Sequence, residues 1–115
     1  MMSKPLKMYI FVRKSLPSHK VISVAHGVLI AHLKFSPLTP LVYSNENQRV
    51  YNEWLNTSFR KVVCEVTDAE FTELKKESDY ITVTESALPG EELTLVFCPR
   101  YEWPVKFKTY PLFNT

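Results

Sequence analysis

Apolar and polar positions alternate along this chain with two different periods, and the changes of period divide it into elements. Leu6 to Val12 is apolar and aromatic almost throughout, which predicts a strand buried on both faces. Arg13 to Ser18 breaks the run as a loop, with Ser18 placed to cap a helix reaching about Lys34. In that helix Val21, Val24, Ala25, Val28 and Leu29 recur at helical spacing, and Ile22 and Leu33 widen the apolar face. Such breadth predicts a largely buried helix. Gly27 within it predicts close packing against a neighbour, and Ser23 one turn earlier extends a groove of small residues.

Phe35 to Tyr43, with Pro37 and Pro40, predicts a loop. Asn45 and Gln48 have capping-box spacing for a short helix to about Asn56, whose inward stripe is Val50, Tyr51, Trp54 and Leu55. Arg60 to Val66 predicts a second strand. Thr67 and Glu70 form a capping box opening a helix that turns Phe71 and Leu74 inward. Tyr80 to Thr84 predicts a third strand, Leu88-Pro89-Gly90-Glu91 a turn, and Leu93 to Cys98 a fourth strand. In the aromatic tail Pro104 and Pro111 limit any helix. The order β-α-α-β-α-β-β predicts a single α/β domain over residues 1–115, with a four-stranded mixed sheet and helices on both faces. Ligands in such sheets sit beyond the carboxyl ends of strands, here near Arg13 to Lys20.

Composition narrows the picture. A length of 115 residues suits one domain. Fourteen basic against twelve acidic residues give a net charge of +2, too even to imply a nucleic-acid partner by itself. A partner rich in phosphate would need a local patch, and Arg13, Lys14 and Lys20 are candidates at the mouth of the first helix. Cys64 and Cys98 sit in apolar runs without metal-ligand spacing, so they read as buried free thiols. No apolar run is long enough to span a bilayer and none follows Met1 as a signal peptide would, so a reducing cytoplasm is expected. His19 and His26 lie two turns apart without a carboxylate at ligand spacing, so neither a metal nor another cofactor is expected. No Gly-x-Ser-x-Gly occurs to suggest a serine nucleophile.

Several stretches in order resemble one family. Met8 to Leu16, followed by Val24-Ala25-His26-Gly27, is similar to the start of type-II peptidyl-tRNA hydrolases. Phe59 to Val63 resembles that family's second strand. Leu88-Pro89-Gly90, Leu93 to Val96 and Pro99 resemble its closing turn and strand. The ending from Lys106 to Phe113 looks like the divergent branch called peptidyl-tRNA hydrolase domain-containing. The chain departs from the family in three places. Pro17-Ser18-His19-Lys20 stands where active members carry Gly-Lys-Gly-Lys, Ser23 replaces a glutamine, and Val83 to Ala87 replaces an Asp-Ala-Gly-x-Thr loop.

The resemblance implies hydrolysis of the ester joining a peptide to tRNA. It nominates Lys20 for the cationic role, Glu85 for water activation, and Thr84 or Ser86 as hydroxyl partners. The plain alternatives are a solvated lysine, a solvent-facing carboxylate and local turn hydroxyls. His19 and His26 are candidates for catalysis or for structural hydrogen bonding. Arg13, Lys14, Arg100 and Lys106 are the expected RNA contacts, with Tyr101, Trp103 and Phe107 either stacking on RNA or covering the edge of the core. A homodimer is compatible with the sequence. The competing expectation is a non-catalytic RNA- or protein-binding module on the same fold.

Overall fold

The computed structural model describes residues 6–15, 20–36, 45–85 and 88–113, the side chains of 85, 88 and 89 excepted. Ser18, His19, Ser86 and the expected loop around Pro37 and Pro40 lie outside the described residues. Strand β1 (Lys7–Arg13) is followed by helices α1 (Lys20–Phe35) and α2 (Glu46–Asn56). Strand β2 (Arg60–Val66), helix α3 (Asp68–Leu74), strands β3 (Tyr80–Glu85) and β4 (Leu88–Phe97), and a 3-10 helix (Val105–Thr109) complete the order.

The sheet runs β2-β1-β4-β3. β1 and β2 are parallel, whereas β4 is antiparallel to β1 and to β3. Period-2 alternation explains both layers. Met8 and Ile10 pack with Val96, Ile81 and Val83 beneath α1 and α2. Tyr9 and Phe11 point the other way and meet Cys64, Leu95, Phe97, α3 and the tail. This is the mixed sheet with helices on both faces that the element order implies. Trp103 and Phe107 are buried in the second layer, so the tail aromatics close the core rather than offer a stacking platform. Tyr101 alone of the three is exposed.

The helix caps follow the sequence. Asn45 accepts from the Gln48 N–H at 2.9 Å, and Tyr51 and Trp54 are the buried residues of α2. Thr67 and Glu70 form the reciprocal capping box of α3. Two expectations are corrected. The Leu88–Glu91 segment belongs to β4: Thr84 pairs with Glu92 and Glu85 with Leu88, so residues 89–91 bulge out of register, with Gly90 at φ 81°. The second concerns α1. Its buried residues are Ser23, Gly27, Ala31 and Phe35, while Val21, Ile22, Leu29 and Leu33 are at least half exposed. The sheet selects the smallest side chains because the backbone approaches closely. A Cβ on Gly27 would lie 2.6 Å from Val96 Cγ2.

Candidate functional site

Two clusters of charge form where β1 and β2 end and α1 and α3 begin. On the α3 side, Arg13 closes β1 with its side chain only 17% exposed. Its Nε donates to Asp68 Oδ1 at 3.1 Å, and its Nη1 donates to Glu91 Oε2 at 2.7 Å and to the Glu92 carbonyl at 2.9 Å. The guanidinium also lies 5.7 Å from the centre of the Phe71 ring. Ser15 donates to Asp68 at 2.7 Å. Hydrogen bonds from Ser15 and Arg13 hold the Asp68 carboxyl below its ordinary range, and bonds to Glu91 and Asp68 raise the Arg13 value. Lys75 pairs with Glu92 nearby. A cleft of about 250 Å³ opens among Arg13, Asp68, Thr72, Lys75 and Glu91.

On the α1 side, Lys20 Nζ reaches Glu65 Oε2 at 3.1 Å, the two side chains being 18% and 21% exposed. Behind this pair, Ser23 donates to the Lys20 carbonyl at 2.9 Å and lies 2.8 Å from Thr94 Oγ1. Both hydroxyl residues are fully buried. Since the single Ser23 proton goes to Lys20, Thr94 is the donor between them. The first turn of α1 is thereby tied to β4, and Lys20 is held over the end of β2.

This geometry divides the expected joint patch of Arg13, Lys14 and Lys20. Arg13 turns toward α3, Lys20 toward Glu65, and each is met by carboxylate. Lys14 is exposed, its backbone N–H donating to the Val66 carbonyl at 2.8 Å. Compared with known proteins, the chain matches no family model and no curated sequence. Its chemistry is therefore read from the arrangement itself. Thr84 is exposed opposite Glu92 in the irregular part of the β3–β4 pairing. Glu85 ends β3, and its side chain, like Ser86, lies outside the description.

The remaining expected contacts are dispersed. Arg100 pairs with Lys7 at the opposite end of β1, some 20 Å of strand from Arg13. Its guanidinium lies 5.1 Å from the centre of the Trp103 ring. Lys106 binds Glu77 at 2.9 Å, and His26 is exposed on α1. A wider groove of about 430 Å³ near Arg100 and Tyr101 also carries Glu46, Asp79 and Glu102, which oppose an anion there. Among the described residues no group of three His, Cys, Asp or Glu could hold a metal, and no helix is long and apolar enough to cross a membrane. Burial pushes the Cys64 thiol up to about 11 and the Cys98 thiol to about 12, which leaves neither a ready nucleophile.

Sequence reasoning missed Glu65, Ser15, Thr94 and the acidic partners of Arg13. Glu65 carried a readable signal: it is the one carboxylate in β2, set among the apolar residues that follow Arg60 and Lys61. Asp68 read only as part of a helix start. Glu91 is brought to Arg13 by the β4 bulge, which local sequence does not specify.

Proposed function

We propose that this chain is an esterase of the peptidyl-tRNA hydrolase kind, cleaving the bond between a peptidyl or N-blocked aminoacyl group and tRNA by attack of water. The observation that carries the reading is the part-buried Lys20–Glu65 pair at the carboxyl ends of two parallel strands. Ester hydrolysis needs a group to take the proton of water and a positive charge facing the carbonyl oxygen as it becomes an oxyanion. Glu65 suits the first role and Lys20 the second. Water then bonds to the acyl carbon, the acyl–oxygen bond to the ribose breaks, and the proton passes from Glu65 to the leaving oxygen. The resemblance supports the same lysine and adds Glu85 and Thr84 at the end of β3 as further candidates.

A non-catalytic module on the same fold is the second reading. It is favoured by the carboxylate partners already bound to Arg13, Lys20 and Lys106, which oppose a phosphate backbone and favour a protein partner over RNA. The discriminating experiment follows acyl release from N-blocked aminoacyl-tRNA. The esterase reading expects wild-type turnover that falls about a hundredfold or more in Lys20→Ala and Glu65→Gln, with circular dichroism unchanged. Loss in Glu85→Gln but not in Glu65→Gln would move the carboxylate role to β3. Absence of turnover in the folded wild type would leave the binding module.

A further inference from the structure

Glu65, Val12, Thr94 and Val83 stand opposite one another in a single row across all four strands. Residues in one row point to the same face of a sheet, and Val83 places this row beneath α1. Glu65 and Thr94 are two strands apart, roughly 10 Å. α1 is bonded at both ends of that interval: its Lys20 side chain reaches Glu65, and Ser23, one turn on, meets Thr94. One turn of helix and the reach of a lysine side chain together span the gap. Where α1 sits along the row therefore decides whether Lys20 meets Glu65. We infer that Thr94 is a positioning residue, which through Ser23 fixes the first turn of α1 so that Lys20 Nζ stands beside Glu65. Its part in a reaction rests on the esterase reading, in which those two charges act together.

The two ends of the threonine side chain divide the task. Its Oγ1 donates to Ser23, whose own proton goes to the Lys20 carbonyl, so a chain of hydrogen bonds runs from β4 to the residue that opens α1. Its Cγ2 lies beneath Gly27, 3.9 Å from where a Cβ would stand, and bears on the helix one turn further along. The methyl thus helps set the height of α1, and the hydroxyl sets its place along the row. Packing alone does not supply the second. α1 meets the sheet through Ser23, Gly27 and Ala31, a smooth surface of small residues, and apolar contact has no preferred direction. A hydrogen bond does. Nor is the hydroxyl pair required for stability. Alanine and valine in place of Ser23 and Thr94 fill nearly the same space and are close to neutral, because no hydroxyl is then buried. No other serine or threonine among the described residues is buried. A polar pair in an otherwise apolar layer is placed to orient the helix that carries Lys20.

Three variants of the full chain separate position from stability: Thr94→Val, Thr94→Val combined with Ser23→Ala, and Thr94→Ser. The placement of Lys20 is read from its acetylation by acetic anhydride, followed by peptide mass spectrometry with the exposed Lys14 as internal reference. Thr94→Val and the double variant should label Lys20 about tenfold faster than the wild type, the double variant keeping or raising the urea midpoint. Thr94→Ser keeps the hydroxyl and loses the methyl, so it should lower the midpoint and yet leave Lys20 protected. With N-blocked aminoacyl-tRNA, kcat should fall about tenfold in the first two variants with KM little changed, and Thr94→Ser should retain it. Protection of Lys20 that survives Thr94→Val overturns the inference, as does protection lost equally in Thr94→Ser, which would make packing the cause. A wild-type kcat that Thr94→Val leaves unchanged overturns it as well. Absence of turnover in the wild type refutes the esterase reading alone, and the labelling pattern still decides whether Thr94 places Lys20.

Discussion

Gly27 shows how one position reconciles opposing demands. In an isolated helix alanine would be better by about 1 kcal/mol. Here a Cβ would lie 2.6 Å from Val96 Cγ2 and 3.1 Å from Val83 Cγ2, well inside the ~3.5–4.0 Å of a comfortable carbon contact. Overpacking of this kind costs about 1–3 kcal/mol, so the clash outweighs the propensity gain. Gly27→Ala is expected to lower stability by about 1–2 kcal/mol, read as a lower urea midpoint with little change in slope. An unchanged or raised midpoint would show that Val96 gives way freely. Ser23, one turn earlier, meets the same close approach with a hydroxyl that Thr94 satisfies.

At the scale of elements, α3 depends on its ends. Its seven residues are too few to hold a helix in isolation, so the capping box and the burial of Phe71 and Leu74 must support it. Thr67→Ala removes the side chain that accepts from the Glu70 N–H, and a loss of about 1 kcal/mol is expected in chemical denaturation. Glu70→Ala removes the reciprocal bond to the Thr67 N–H. Combining the two should cost less than the sum of their separate effects, because each bond orders the other. Strict additivity in that double-mutant cycle would show that the halves of the box act independently. α1 is the contrasting element. Its length and the close packing at Ser23 and Gly27 were legible, but the exposure of Val21, Ile22, Leu29 and Leu33 was not, because large apolar side chains occur on its other side as well.

At the scale of the whole molecule, Arg13 joins parts of the chain that are far apart in sequence. Asp68 is 55 residues away and Glu91 is 78, so β1, α3 and the β4 bulge meet at one guanidinium. The carboxyl of Asp68 titrates lower in the folded chain than its ordinary value of 3.8. The stability this group contributes is therefore fully present above that value and is lost as pH falls through the folded-state value. Asp68 is 59% exposed, so water and salt screen the effect. Urea midpoints measured below pH 4 should fall less steeply with acid in Asp68→Asn than in the wild type. Parallel curves for the two proteins would show that Arg13 is satisfied by Glu91 and the Glu92 carbonyl alone.

What the sequence determined by itself is what neighbours in the chain decide. Alternation of side chains set both faces of β1, the Thr67–Glu70 and Asn45–Gln48 spacings set where helices begin, and the element order limited the sheet to a mixed one. Lys20 was named for the cationic role by the family resemblance, and for a basic patch by its place at the mouth of a helix. The rest required distant segments to meet. Close approach of the backbone to β3 and β4 chose Ser23, Gly27 and Ala31 over the larger residues of α1. Parallel pairing of β1 with β2 brought Glu65 to Lys20, and the β4 bulge brought Glu91 to Arg13. Local propensity acts over a few residues, whereas packing distance and charge pairing depend on where the chain returns, and so only the tertiary structure could decide them.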